Sequence, residues 1–397
     1  MHVATDVRLT ASRCAVSALF FVNGAILASW VPYVPMVKER LGIGDGQLGI
    51  ILLFAAIGAL GALPFAGALV SRSGSRAVSV AAGLGLCVTL PLPVLMPTPF
   101  LVALGLLVLG AFNSTLDVAM NAQAVEVEQR RGYALMSSFH AMFSVGGLAG
   151  ALLSSVVVAA GVGAADHVLA AALLGSVTIL LARSALIAVA PSPSPVFVRP
   201  TRGLLGLGVL ALCALLAEGA IGDWSAVYLM DSRGASQSVA AAGFAAFSLT
   251  MAGGRFAGDH VARWLGAACL LRLSGALAAG GLLLALIVRE PVIAIAGFGL
   301  VGLGVANLIP VIFSAAGRAY AIPPGHGLAA VATTGYVGFL AGPPVIGLAA
   351  EVAGLPAALG IVAIACAAVA IAAHLAGDRI PTRTSAGPSP RKTIFRV

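Results

Sequence analysis

The sequence predicts an all-α polytopic membrane protein of twelve transmembrane helices, arranged as two parallel-repeat six-helix bundles. Three observations carry this. Of 397 residues, 60% are hydrophobic and only 9% charged, with a mean hydropathy of +1.06. A soluble domain has about 25% charged residues, so this chain lacks the polar surface to stay in water. The apolar residues fall into twelve runs, most of them about 20 residues or longer, which is what a helix needs to cross a ~30 Å hydrocarbon layer. Finally, stretches from the first half recur in the same order about 190 residues later.

In order, the runs are 14–36, 46–70, 77–96, 98–122, 135–160 and 166–190, then 203–229, 236–261, 266–288, 290–315, 327–350 and 355–376. They divide the chain into an N-terminal tail (1–12), a first bundle (13–190), a Pro/Ser-rich linker PSPSPVFVRPTR (191–202), a second bundle (203–376) and a polar basic tail (377–397). With the N-terminus in the cytoplasm, only Lys38, Arg40, Arg233 and Arg289 of the 22 Lys and Arg residues fall in outer loops. Such asymmetry is the positive-inside signal, and it places both termini in the cytoplasm. The net charge of +8 therefore reports orientation, and no nucleic-acid partner is expected. The five cysteines (14, 87, 213, 269, 366) lie in apolar runs without metal or redox spacing, so neither a metal nor a cofactor is expected.

The duplication is read from four helix pairs. CALLAEGAIGDWSAVY (213–228) echoes FVNGAILASWVPY (21–33), with Glu218 where Asn23 stands, an offset of 195. FAGALVSRSG (65–74) matches FAGDHVARWLG (256–266) at 191. Gly110-Ala-Phe-Asn113 matches Gly304-Val-Ala-Asn307 at 194, and Gly146-Gly-Leu-Ala-Gly150 matches Gly338-Phe-Leu-Ala-Gly342 at 192. Parallel six-helix repeats place a cavity between the halves near the membrane midplane.

In this organisation the chain resembles the major facilitator superfamily of secondary transporters over roughly residues 13–376. The loop GALVSRSGSR is similar to that family's Gly-x-x-x-Asp-Arg-x-Gly signature, with Gly67, Arg72, Gly74 and Arg76 in place and Ser71 at the acidic position. In the second half Arg255, Asp259 and Arg263 follow at i, i+4 and i+8. The resemblance implies that these seven residues form a gate or interdomain clasp. GAFNSTLDVAMNAQA and AEGAIGDWSAVYL are similar to a bacterial branch of fucose-permease-type symporters.

Candidate working residues follow from polarity inside apolar helices. Fifteen residues beyond Gly203, Glu218 lies about 22 Å into the hydrocarbon layer, where a carboxylate must face water, find a partner or take a proton. Asp223, five residues further out, is the alternative titrating group. Asn113, Asp117 and Asn121, four apart, line one helix face; the bland reading is interhelical glue, the functional one a solute path. His140 lies at a depth similar to Asp117, close enough in level for a carboxylate–imidazole pair. Asn23, Trp30, Tyr33, Trp224, Asn307 and Tyr336 fall at plausible cavity depths and suit a small polar solute; singly, each also fits a packing or interfacial residue. Gly297-Phe-Gly299-Leu-Val-Gly302 fits a dinucleotide fingerprint only in letters, since no strand precedes it.

The function expected is secondary active transport of a small polar organic solute by alternating access, coupled to protons at Glu218. The runner-up is proton-driven efflux of a drug or natural product. An integral-membrane enzyme using Asp117 and His140 is the reading from another class; it leaves the duplication unexplained, so no enzyme is expected. The partners are the lipid bilayer, the solute and the proton, for a protein acting as a monomer.

Overall fold

The structure, a computed structural model, describes residues 2–30, 33–43, 45–189, 202–235, 237–319 and 323–376. The linker 191–201 and the tail 377–397 lie outside the described residues. The first half holds α1 (His2–Trp30), a short α2 (Val34–Leu41), α3 (Asp45–Ser73), α4 (Ser75–Thr89) continued by α5 (Pro91–Leu95), α6 (Pro99–Arg131), α7 (Met136–Ala159) and α8 (Ala164–Ala182). The second holds α9 (Arg202–Val227), α10 (Gln237–Leu265), α11 (Ala267–Ile287), α12 (Pro291–Val305), α13 (Leu308–Gly317), α14 (Pro324–Ala353) and α15 (Leu355–Ala372). Eleven passages among the described residues are long and apolar enough to cross a bilayer, with α4–α5 and α12–α13 each counting as one. The remaining passage is α10, 29 residues long, whose Arg255, Asp259 and Arg263 lower its hydropathy. The all-α, twelve-helix fold follows.

Two boundaries differ from expectation. The stretch expected as an N-terminal tail is helical from His2 and continuous with α1. The tenth passage breaks at Ala306–Asn307 rather than running straight. Pro310 accounts for this, because its ring clashes with the carbonyl four residues earlier, at Ala306.

Each half packs in the same way. Gly146 on α7 sits against the Phe21 carbonyl on α1, and Gly338 on α14 against the Leu212 carbonyl on α9; an added Cβ would lie 2.0 and 2.3 Å from those oxygens. Gly110 on α6 meets the Ala55 carbonyl on α3, and Gly302 on α12 meets the Phe247 carbonyl on α10, at 1.9 and 2.1 Å by the same measure. Only glycine allows helices so close. The loops repeat too. Gly42 and Gly234, Gly74 and Gly266, and Gly161 and Gly354 all have positive φ, at offsets of 192, 192 and 193. Arg40 donates to the carbonyls of Val94 and Met96 at the end of α5, and Arg233 to those of Ala285 and Leu286 at the end of α11, so one arginine closes the third passage of each half.

This packing corrects two of the sequence matches. A common offset of 191–192 puts Asn23 level with Ala214, and Glu218 level with Leu27. The echo at 195 is one turn out of step; four residues nearly complete a turn, so it keeps the helix face and loses the depth. The Asn113–Asn307 match is displaced by two residues, and at 192 Asn307 corresponds to Thr115.

Candidate solute path and gate

In the first half a polar chain links three helices. Asn121 on α6 donates its amide to the Asp117 carboxylate (3.0 Å) and to the Asp117 carbonyl (2.9 Å). Its Oδ1 stands 3.3 Å from His140 Nε2 on α7. The expected acid–imidazole pair is therefore bridged rather than direct. Asn121 itself, expected on the solute path, is fully buried and serves as that bridge. The His140 ring lies between Phe20 of its own half and Phe313 of the other, 5.2 and 6.2 Å away. Asn23 on α1 points its amide nitrogen at Met120 Sδ (3.7 Å), one turn from Asp117, and leaves its buried Oδ1 without a protein partner. The Oδ1 of Asn113 is likewise buried and unpartnered.

In the second half Arg255 is the hub. Its guanidinium lies 3.5 Å from the Glu218 carboxylate on α9, donates to Ser144 Oγ on α7 (2.8 Å) and reaches the Ala306 carbonyl at the helix break (3.4 Å). The arginine is 6% exposed on its side chain and Glu218 is 26% exposed, so the acid is the member that faces open space. Expected with Asp259 and Arg263 in a gate or interdomain clasp, Arg255 does cross to the other half at Ser144, one turn along α10 from Asp259, and it meets Glu218 there as well. Tyr336 on α14 is half-buried and packs against the hydrophobic core. Asp223 is exposed further along α9. Trp224 packs near Gly347 with its indole nitrogen buried and unpartnered. Asn307 donates to the Gly254 carbonyl (3.0 Å), and its unpartnered Oδ1 fills the space over Gly258.

Trp30 and Tyr33 are buried at the opposite end from the termini. The Tyr33 hydroxyl lies 2.9 Å from His167 Nδ1 on α8, so this pair joins two helices of one half.

At the end nearer the termini the halves are clasped. Asp259 accepts from the backbone N–H groups of Ser137 (2.8 Å) and Ser138 (2.9 Å), and Glu128 from those of Leu135 (2.8 Å) and Met136 (3.1 Å). These four consecutive donors are the open N–H groups at the start of α7, and acidic residues are stabilising there. One carboxylate comes from each half. Glu128 also accepts from Ser314 and Arg318 across the seam. Arg263 donates to the Ala134 carbonyl (3.2 Å) and lies over the Tyr133 ring. On the other seam Ser71, in the signature's acidic position, bonds His326 at 2.8 Å. Gly67 lets α3 lie against α14, since a Cβ there would be 2.9 Å from the Gly325 carbonyl. Gly74 forms the tight turn into α4, flanked by Arg72 and Arg76. A void of only about 40 Å³ remains among Glu128, Asp259, Ser137, Ser314 and Arg318. Sequence reading missed Glu128, Ser314 and Arg318. Glu128 sits in EVEQRR at a helix end, which reads as a solvated charge run. Among the described residues no His, Cys, Asp and Glu side chains converge as a metal would require.

Two six-helix bundles, clasped at one end around a buried charged cluster, define a polytopic transporter. The chain belongs to the Major Facilitator Superfamily, whose family profile matches residues 16–322. It is 41% identical over 357 residues to an uncharacterized MFS-type transporter of Yersinia pestis, covering 89% of this chain and 93% of that one. It is 34% identical over 393 residues to the membrane protein MosC of Rhizobium meliloti, covering 96% and 95%. Its fold matches the crystal structure of the MFS transporter FucP in the outward conformation, with a TM-score of 0.75 at 16% identity, covering 92% of this chain and 98% of that one. It matches the human organic anion transporter MFSD10 with the same score at 15% identity, covering 92% and 99%.

Proposed function

We propose that the protein moves a small polar organic solute across the bacterial cytoplasmic membrane by alternating access, in exchange for or together with protons. Both termini are cytoplasmic in this reading, which makes the clasped end the inner gate and the state one open to the outside. The protein acts as a monomer. The observation that carries the reading is the double engagement of Arg255, with Glu218 in its own half and Ser144 in the other.

A proton on Glu218 removes the charge that positions Arg255, and with it the alignment of the bond to Ser144. A ligand shifts a two-state equilibrium only by binding the states differently. Protonation at a side chain whose partner spans the halves meets that condition. Asp223, nearer the outer surface, is the first station for an incoming proton, and the Asp117–Asn121–His140 chain passes the altered charge toward the gate. The buried polar atoms of Asn23, Asn113 and Trp224 that lack protein partners support a polar solute, because such groups are costly to leave empty.

The test is uptake and counterflow of labelled solutes in proteoliposomes, with and without a pH gradient. Gradient-dependent accumulation is expected in the parent and lost in Glu218→Gln, while counterflow without a gradient persists. Accumulation that ignores the gradient in both proteins rules out proton coupling at Glu218.

A further inference from the structure

The tenth passage is jointed where its counterpart in the first half is a single rod. α6 runs unbroken from Pro99 to Arg131, whereas α12 stops at Val305 and α13 starts at Leu308. At the offset of 192 that relates Gly146 to Gly338, Pro310 stands where α6 has Val118. Proline has no N–H, so the Ala306 carbonyl, four residues back, loses its helical donor. Asn307 then leaves helical geometry, with φ −108° and ψ 2°.

The bonds that replace the missing one come from α10. Arg255 Nε donates to the freed Ala306 carbonyl (3.4 Å), and Asn307 Nδ2 donates to the Gly254 carbonyl (3.0 Å). Gly254 permits this approach, since a Cβ there would lie 2.8 Å from that of Ala306. Two adjacent residues of α10 therefore hold the two residues of the break.

Beyond the break lies the clasp. Ser314 and Arg318, seven and eleven residues past Asn307, both donate to Glu128 on the unbroken α6. At ~1.5 Å rise per residue Arg318 is about 16 Å from the break, so a bend of about 10° there moves it about 3 Å, enough to part a hydrogen bond.

We propose that Asn307 is a positioning residue for the inner gate: it pins a joint about which α13 swings apart from α12, carrying Ser314 and Arg318 on and off Glu128. Arg255 sets the swing, because the guanidinium that holds the Ala306 carbonyl also meets Glu218 and Ser144. Charge at the centre reaches the gate through one side chain and one carbonyl freed by a proline. That trigger rests on the function proposed above; the joint itself does not.

The test is hydrogen–deuterium exchange read by mass spectrometry on the purified full chain in lipid nanodiscs, comparing segment 291–305 with segment 308–317. It needs neither solute nor gradient, so it can fail while the transport test succeeds, and the reverse. Glu128→Ala removes the acceptor of both clasp bonds without altering α13. Exchange across 308–317 should quicken about tenfold, and that across 291–305 should stay at the parent's rate. Adding Pro310→Ala, which returns an N–H to the Ala306 carbonyl, should cancel the increase by making the passage one rod. Asn307→Ala, with the clasp intact, should quicken 308–317 about threefold, and it carries the test if Glu128→Ala does not fold. General loosening of the second half would instead raise both segments alike. Equal change in the two segments, an increase that survives Pro310→Ala, or no change in Asn307→Ala overturns the proposal.

Discussion

Replacing Asp259 by Asn tests whether the inner gate is held by the electrostatics of one helix start. Asp259 reaches from α10 into the opposite half and takes two backbone N–H groups, from Ser137 and Ser138 at 2.8 and 2.9 Å. Hydrogen bonds to a charged acceptor are worth about 1.5–3 kcal/mol each, and a charge at a helix N-terminus adds ~0.3–2 kcal/mol. An amide keeps one acceptor oxygen and loses the charge and the second bond. Part of the loss is offset because the carboxylate no longer has to be desolvated. We therefore expect the clasped state to lose about 1.5 kcal/mol relative to the open one, a roughly tenfold shift. Nitroxide labels at Gln129 on α6 and Trp264 on α10, both exposed near that end, report the separation of the halves by pulsed electron resonance. The longer-distance population should grow about tenfold in Asp259→Asn. Identical distance distributions in variant and parent would refute the reasoning, leaving the gate to the contacts of Glu128 and Ser71.

Gly258→Ala places a Cβ 1.8 Å from Asn307 Oδ1 and 2.6 Å from Ser137 Oγ, so it should destabilise by about 1–3 kcal/mol, read as a lowered melting temperature that Asn307→Ala partly restores. Tyr33→Phe removes one bond to His167 within a single half; stability should fall by about 0.5–1.5 kcal/mol in chemical unfolding while transport per folded molecule stays unchanged. Asn121→Leu keeps the volume but strips the bridge between Asp117 and His140, and about a tenfold loss of transport is expected, for ~1.4 kcal/mol of lost coupling, with normal insertion in the membrane. A transport rate equal to the parent's in that variant would show that the bridge is packing alone.

Much of the architecture was legible because membrane helices announce themselves by length and composition, and because a duplicated chain repeats its glycines. The matched closely packed glycines and the paired left-handed turns are direct consequences of sequence, as only glycine fits either place. Sequence matching slipped where small-residue patterns recur every turn. The Glu218 echo fell one turn off and the Asn307 match two residues off, since alanine- and glycine-rich helices resemble themselves at several displacements.

The residues alone determined that this is a two-bundle membrane protein with acids at depth, because burying charge in hydrocarbon is too costly to occur without a use. Only the tertiary structure decided which partner each charge has. Arg255 met Glu218 as well as Ser144 of the other half, Glu128 met Ser314 and Arg318 across the seam, and Asn121 came between Asp117 and His140. Partners far apart in sequence meet through the rotation and depth of packed helices. Those are set by the fit of whole surfaces, which no single stretch of the chain encodes.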